Sequence, residues 1–365
     1  MYYFDSREIE VSDIEKTQEK RTPPKKRSES IQMNMFSNFV TNDGTEVSNT
    51  IELWESIPKY FLSNVQMEKL RTADGLANPY KWEYISTDTK GAELARTVKI
   101  QPALIEQKDG SYKAFFPSAT EELVEEALKK IFTEQSLGLH EVQKVESWVR
   151  FSLRMIYREL KNRGKTRDLT QIKHAIEVMS SCVITVEQDG KIIYRGNILS
   201  DLIAVDRDVY ENDPSSHWIA RLPVFVSHAI NRLQYRQFNY GRFMECHEQL
   251  SRWLYKRLIT RFRQASIVTD YHFMYSDLAQ NSGLLQMSST QGNRRKVLSA
   301  LDELAERGVI FNDYVVDNRK KGRKIVDIKY IVRATPEFIR EQKAANKRYS
   351  DDQKKALQAG IKLAE

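Results

Sequence analysis

Residues 274–333 constrain the fold more than any other stretch of the chain. Residues 275–282 show a short helical pattern, and Gly283 followed by Leu284, Leu285, Gln286 and Met287 makes a turn. Ser288, Ser289 and Thr290 can accept hydrogen bonds from the unpaired N–H groups of a helix start. A second helix is expected over 291–307, stopped by Gly308. Its apolar residues Val297, Leu298, Leu301, Leu304 and Ala305 form one stripe of a 3.6-residue period. Gln291, Asn293, Arg294 and Lys296 are expected on the opposite face at its N-terminal end. Two β-rich runs follow, 309–316 and 324–332, and the residues between them carry Arg319, Lys320, Lys321 and Arg323, with Asn318 and Gly322 for the turn.

Helix, turn, helix and a hairpin with a cationic tip is the order of a winged helix. Its second helix can enter a DNA major groove while the hairpin reaches phosphate or minor groove. Asn and Gln can read base edges, and Arg and Lys neutralise phosphates. The competing reading is a solvated, charged face on a helix-turn-helix used for protein contacts.

Composition sharpens this. The 365 residues suffice for two or three domains, and 41% hydrophobic content is enough to bury real cores. Lys plus Arg exceed Asp plus Glu by 57 to 50, and between 221 and 263 nine basic residues face two acidic ones, a local excess equal to that of the whole chain. Such clustering suits a polyanion partner. Cys182 and Cys246 lack a metal-ligand spacing and are expected as buried, reduced thiols. No apolar run approaches the ~18 residues of a membrane span, and the N-terminal residues lack a signal pattern. A cytoplasmic protein is expected.

Taken in order, residues 1–50 are polar and centre on Arg21, Pro23, Pro24, Lys25, Lys26 and Arg27, as a flexible arm would be. Gln32, Met33, Met35 and Phe36 form an apolar island within it, a candidate docking peptide. Residues 51–117 are read as a partly β N-terminal extension, with a hairpin candidate over 97–116 turning at Asp109 and Gly110. A first domain is expected over 118–215: a helix from Ser118, a strand at 148–151, helices at 153–161 and from Asp168, then a hairpin turning at Asp189 and Gly190, with a further strand at 199–205. A second is expected over 216–335, opening with an edge strand at 218–225 and a long helix at 242–264. That helix carries Arg252, Lys256, Arg257, Arg261 and Arg263, and two readings stay open: it lies over a DNA backbone, or it is a core helix with snorkelling basic side chains. Residues 336–365 are a charged, helix-prone tail. The same element order thus occurs twice, and the fold class is α+β: two tandem winged-helix domains behind a flexible arm.

Reactive centres are not expected. Gly164, Lys165 and Thr166 end like a phosphate loop, but Glu159 stands where its first glycine belongs. The six histidines show neither the His-apolar-His spacing of a metal-dependent nickase nor an HExxH, and no GxSxG is present. A non-enzymatic binding protein, with no cofactor and no metal, is the expectation.

Residues 222–240, 250–259, 275–279 and 294–304 together resemble plasmid replication initiators of Gram-negative bacteria, of the TrfA or RepA type. The resemblance spans about 118–333, and Gln32, Met35 and Phe36 resemble the short peptide by which many bacterial proteins bind the DNA polymerase sliding clamp. It implies two winged helices binding direct origin repeats, called iterons, recruitment of the sliding clamp and host helicase, an inactive dimer and a part in copy control. Carried over by position, the second-domain readers would be Thr290, Gln291, Asn293, Arg294 and Lys296. Those of the first domain would be Arg167, Thr170, Gln171, Lys173 and His174, and the wing contacts Arg319, Lys320, Lys321, Arg323 and Lys324. A tandem winged-helix transcriptional regulator is the alternative with the same DNA chemistry.

Overall fold

The computed structural model describes residues 46–87, 92–133, 137–141, 144–204 and 217–358. The proposed docking peptide at Gln32, Met35 and Phe36 lies outside them.

The chain enters through strand β1 (Val47–Thr50), helix α1 (Glu52–Glu55) and helix α2 (Asn64–Leu70). The arm expected to run to residue 50 therefore already has strand structure at Val47. Strands β2 (Tyr80–Thr87), β3 (Glu93–Gln101), β4 (Ala103–Glu106) and β5 (Tyr112–Phe115) follow. Pro102, which has no N–H, separates β3 from β4. The hairpin expected over 97–116 is β4–β5, while β3 belongs to another sheet.

Next come α3 (Ala119–Phe132), β6 (Gly138–Glu141), β7 (Glu146–Phe151), α4 (Leu153–Asn162), α5 (Leu169–Ser181), β8 (Val183–Gln188), β9 (Lys191–Gly196) and β10 (Ser200–Ala204). Local chemistry sets these bounds. The Glu121 carboxylate accepts from both the main-chain N–H and the hydroxyl of Ser118 at the start of α3, each at 2.7 Å. Asp168 accepts from Gln171 N–H at 2.7 Å to open α5. Asp189 and Gly190 both take positive φ, the geometry of a two-residue hairpin turn whose twist matches its strands.

The extension is built into this unit. β3 pairs with β8, giving a four-stranded sheet in the order β2-β3-β8-β9. Its inner face buries Val98, Ile100, Ile184 and Val186. β7 pairs instead with β6 and with β11 (Trp218–Arg221).

The strand expected over 218–225 is only β11. Pro223 sits at the N-cap of α6 (Val224–Asn231), where a missing N–H costs nothing. After β12 (Arg236–Asn239), which pairs with β1, the single helix expected over 242–264 is two: α7 (Tyr240–Glu245) and α8 (Gln249–Arg261). The break at Cys246, His247 and Glu248 is held by side chains. Glu303 accepts from the N–H groups of His247 and Glu248 at 2.5 and 3.0 Å. Arg252 donates to the carbonyls of Cys246 and His247 at 3.1 and 3.0 Å. Both cysteines are free and buried, as expected, and burial pushes each thiol up to about 12.

The remaining elements are β13 (Asp270–Met274), α9 (Tyr275–Ser282), α10 (Thr290–Glu306), β14 (Val315–Lys321), β15 (Lys324–Arg333) and α11 (Pro336–Gln358). They form a three-stranded sheet, β13-β15-β14, beside a helix-turn-helix. The first hairpin strand starts six residues later than the expected 309 and runs on to Lys321, so Arg319, Lys320 and Lys321 stand in a strand rather than in a loop. The tail docks: Phe338, Ile339, Gln342 and Ala345 of α11 are buried. Arg242 meets Glu337 and Glu341 at 2.8 Å each. The overall class is mixed α and β with small antiparallel sheets.

The basic stretch at 221–263 holds the molecule together instead of facing a polyanion. Arg252 pairs with Glu122 at 2.7 Å, and Lys256 with Glu126 at 2.6 Å and Glu55 at 2.8 Å. Arg257 meets Asp277 at 2.5 Å, while Arg261 and Arg263 share Glu52 at 2.9 and 2.8 Å. Arg221 and Arg242 are paired as well. These contacts resolve the two open readings of α8: it is an interior helix, its cations neutralised by carboxylates of α1, α3 and α9.

Candidate nucleic-acid interface

Helix α10 lies across the core of the second unit through Val297, Ala300, Leu301 and Leu304, all buried. Its start is fixed by Ser289, whose hydroxyl accepts from Gly292 N–H at 3.3 Å. Gly283 ends α9 at φ 65°, in the left-handed region that a side chain disfavours, and Phe61 stands within 2.7 Å of the position a Cβ would take.

The nominated readers do not share one face. Thr290 and Gln291 are exposed. Asn293 is only 6% exposed: its Oδ1 accepts from Met287 N–H at 3.0 Å and its Nδ2 donates to Met287 O at 3.1 Å. It ties the turn to the helix and has no free edge for a base. Lys296 is half-buried, donates from Nζ to Leu284 O at 3.0 Å, and burial lowers its pKa. Arg294 is half-buried beside the sheet, its Nε buried without a partner. In their place Arg295 and Ser299 are exposed along with Gln291. The signal was present in the sequence: four residues back from Val297 along the apolar stripe is Asn293, and the opposite side is Arg295.

The hairpin beside this helix is anchored at its base and free at its tip. Asp327 accepts from the N–H and hydroxyl of Ser276 at 3.1 and 2.5 Å, at the first turn of α9. Tyr314 donates to Asp302 of α10 at 2.5 Å. Ile328, Tyr330 and Val332 bury the inner face of β15. Beyond them the ribbon turns at Gly322, φ 61°, and Arg319, Lys320, Lys321, Arg323 and Lys324 are all exposed. Arg319 is 3.4 Å from Asp317, and no ion pair involves the other four among the described residues.

The first-unit readers are expected at the start of α5. Thr170 and Lys173 are exposed. Gln171 is exposed too, but its Oε1 accepts from Asp168 N–H at 3.1 Å, so half of its amide is used in capping. Arg167 is tied back to Thr120 at 3.2 Å and to the Thr166 carbonyl at 2.8 Å. His174 is half-buried, edge-on to Phe115 with centroids 4.5 Å apart. The nominated first-unit readers are therefore split between free and structural roles.

Sequence reasoning also passed over Arg154, Arg158 and Lys161, exposed together on α4. No group of three or more His, Cys, Asp and Glu able to hold a metal occurs among the described residues. No helix among them is long and apolar enough to cross a membrane.

No protein-family model matches the sequence, and no curated protein matches it. Solved structures similar to the chain include domains 2 and 3 of RctB, at 15% identity and TM-score 0.41, covering 70% of this chain and 91% of that one. A second structure of RctB domains 2-3 has 12% identity and TM-score 0.38 over 73% and 95%. The Pi initiator protein, solved in complex with iteron DNA, has 12% identity and TM-score 0.41 over 60% and 91%.

Proposed function

We propose that the chain is a sequence-specific double-stranded DNA-binding protein of tandem winged-helix design, acting as a plasmid replication initiator at direct repeats. One observation carries the DNA reading: the second unit sets the exposed start of α10 beside a hairpin whose outer half is cationic, with Lys320, Lys321, Arg323 and Lys324 in no ion pair among the described residues, while the cations of α8 are consumed inside the fold. A helix N-terminus with short polar residues fits a major groove, and an anchored basic ribbon fits adjacent phosphates. The first unit also carries two successive helices followed by a hairpin, α4, α5 and β8–β9, here preceded by two strands. Two unlike units on one chain suit a non-palindromic, directly repeated site. The initiator role rests on the resemblance of the sequence to plasmid initiators. Sliding clamp and helicase recruitment and a dimeric form belong to the same proposal, as does the lack of enzymatic activity.

The test is nuclease footprinting of the purified protein over DNA flanking its own gene. Protection of a cluster of short direct repeats, together with replication of that fragment only when the protein is supplied, supports the proposal. Protection of a promoter with no dependence of replication on the protein moves the reading to a transcriptional regulator.

A further inference from the structure

The short helix α4 has two unlike sides. Leu153, Ile156 and Leu160 are buried at i, i+3 and i+7. Arg154, Arg158 and Lys161 recur at i, i+4 and i+7 on the other side, all exposed, and span about 10 Å at 1.5 Å per residue. Like charges at this spacing oppose helix formation. The nearest carboxylate in sequence, Glu159, is half-buried and turned to Arg163 at 3.3 Å. No ion pair involves Arg154, Arg158 or Lys161 among the described residues. The helix thus bears an unbalanced cationic face, whereas the cations of α8 are neutralised by carboxylates of neighbouring helices.

The two units differ in where they keep free positive charge. In the second, α9 exposes Ser276 and Gln280 and carries Asp277, whereas the hairpin holds Lys320, Lys321, Arg323 and Lys324. In the first, the hairpin tip is Asp189, Gly190 and Lys191, and the charge is on α4. Resting on the DNA reading above, we infer that the Arg154, Arg158 and Lys161 face is a phosphate-contacting surface. The first unit holds the duplex backbone through the leading helix of its helix-turn-helix, the element that crosses the backbone in such motifs, and the second unit holds it through the hairpin.

Phosphate contacts are independent of sequence, so a short mixed-sequence duplex labelled with a fluorophore serves as the probe. Binding of the full chain is followed by anisotropy across potassium chloride concentrations. Each phosphate contact contributes about 0.9 to the slope of log K against log salt. The combined Arg154→Ala, Arg158→Ala and Lys161→Ala variant is expected to lower that slope by about 2–3, with unchanged thermal unfolding. Lys320→Ala, Lys321→Ala and Arg323→Ala together are expected to do the same. Arg340→Ala, Lys343→Ala and Lys347→Ala on α11 are expected to leave it unchanged. A wild-type slope in the α4 variant, with a reduced one in the hairpin variant, overturns the inference and leaves the DNA reading standing. An equal reduction in the α11 variant also overturns it, because net charge rather than position would then be the cause. No salt-dependent binding by the wild-type chain overturns the DNA reading itself.

Discussion

Lys256 of α8 meets Glu126 of α3 at 2.6 Å, with the Glu126 side chain only 2% exposed, and the contact joins helices more than a hundred residues apart in sequence. Glu126 also accepts from Lys129 at 2.8 Å, and Lys129 and Lys256 share Glu55 at 2.5 and 2.8 Å. Removing one partner from such a set leaves a buried charge uncompensated. Glu126→Gln should destabilise the protein by about 3–5 kcal/mol, read as a lowered urea midpoint with an unchanged slope. A loss under about 1 kcal/mol, the scale of an exposed pair, would show that the joint is not buried in solution.

The same cluster sets an acid limit. Burial alone would raise the Glu55 carboxyl, but the ammonium groups of Lys129, Lys256 and Lys59 outweigh it and hold Glu55 well below its ordinary 4.5. Glu125 is also lowered, against its burial, by Lys129 and Lys59. A folded-state value below the unfolded one means stabilisation that is complete above about pH 4.5 and lost as pH falls towards the folded values. Urea midpoints should hold steady near neutrality and fall steeply below about pH 4.5. In Glu55→Gln the curve should start lower and fall less steeply. Parallel curves for the two proteins would count against this assignment.

Asn293 and Arg295 should separate stability from recognition. Asn293→Ala leaves both the N–H and the carbonyl of Met287 without their partner. It should cost about 1–3 kcal/mol of stability while leaving the preferred DNA sequence of the folded fraction unaltered. Arg295→Ala should leave the unfolding free energy within about 0.5 kcal/mol of wild type and weaken DNA binding. The reverse pattern would restore Asn293 as a base reader.

The hairpin cations should contribute affinity without specificity. Lys320→Ala should weaken binding to repeat and non-repeat duplexes by similar factors, checked by parallel titrations at one salt concentration. Selective loss on the repeat alone would place Lys320 at a base edge.

Much of the architecture was legible because each element announces itself locally. Ser118, Asp168 and Ser289 open helices, Asp189 with Gly190 turns a hairpin, and the stripe through Val297, Leu301 and Leu304 fixes the buried side of α10. What stayed hidden depends on partners distant in sequence. The break between α7 and α8 needs Glu303, more than fifty residues away, and the pairing of β3 with β8 joins residues 97–101 to 183–187. The choice between a DNA surface and a core helix for α8 stayed open because Glu52, Glu55, Glu122 and Glu126 cannot be placed opposite its cations from sequence alone. The burial of Asn293 was missed for a nearer reason: its residue type suggested base reading, although the helical period put it on the core side.

The most direct measurement is selection of bound duplexes from a random library by the purified chain, with the hairpin variant Lys320→Ala, Lys321→Ala and Arg323→Ala alongside. The wild type should enrich a non-palindromic sequence long enough to present two successive major grooves. The variant should enrich the same sequence at lower yield. No enrichment by the wild type, with recovery of library DNA no greater than in a protein-free control, would contradict the account.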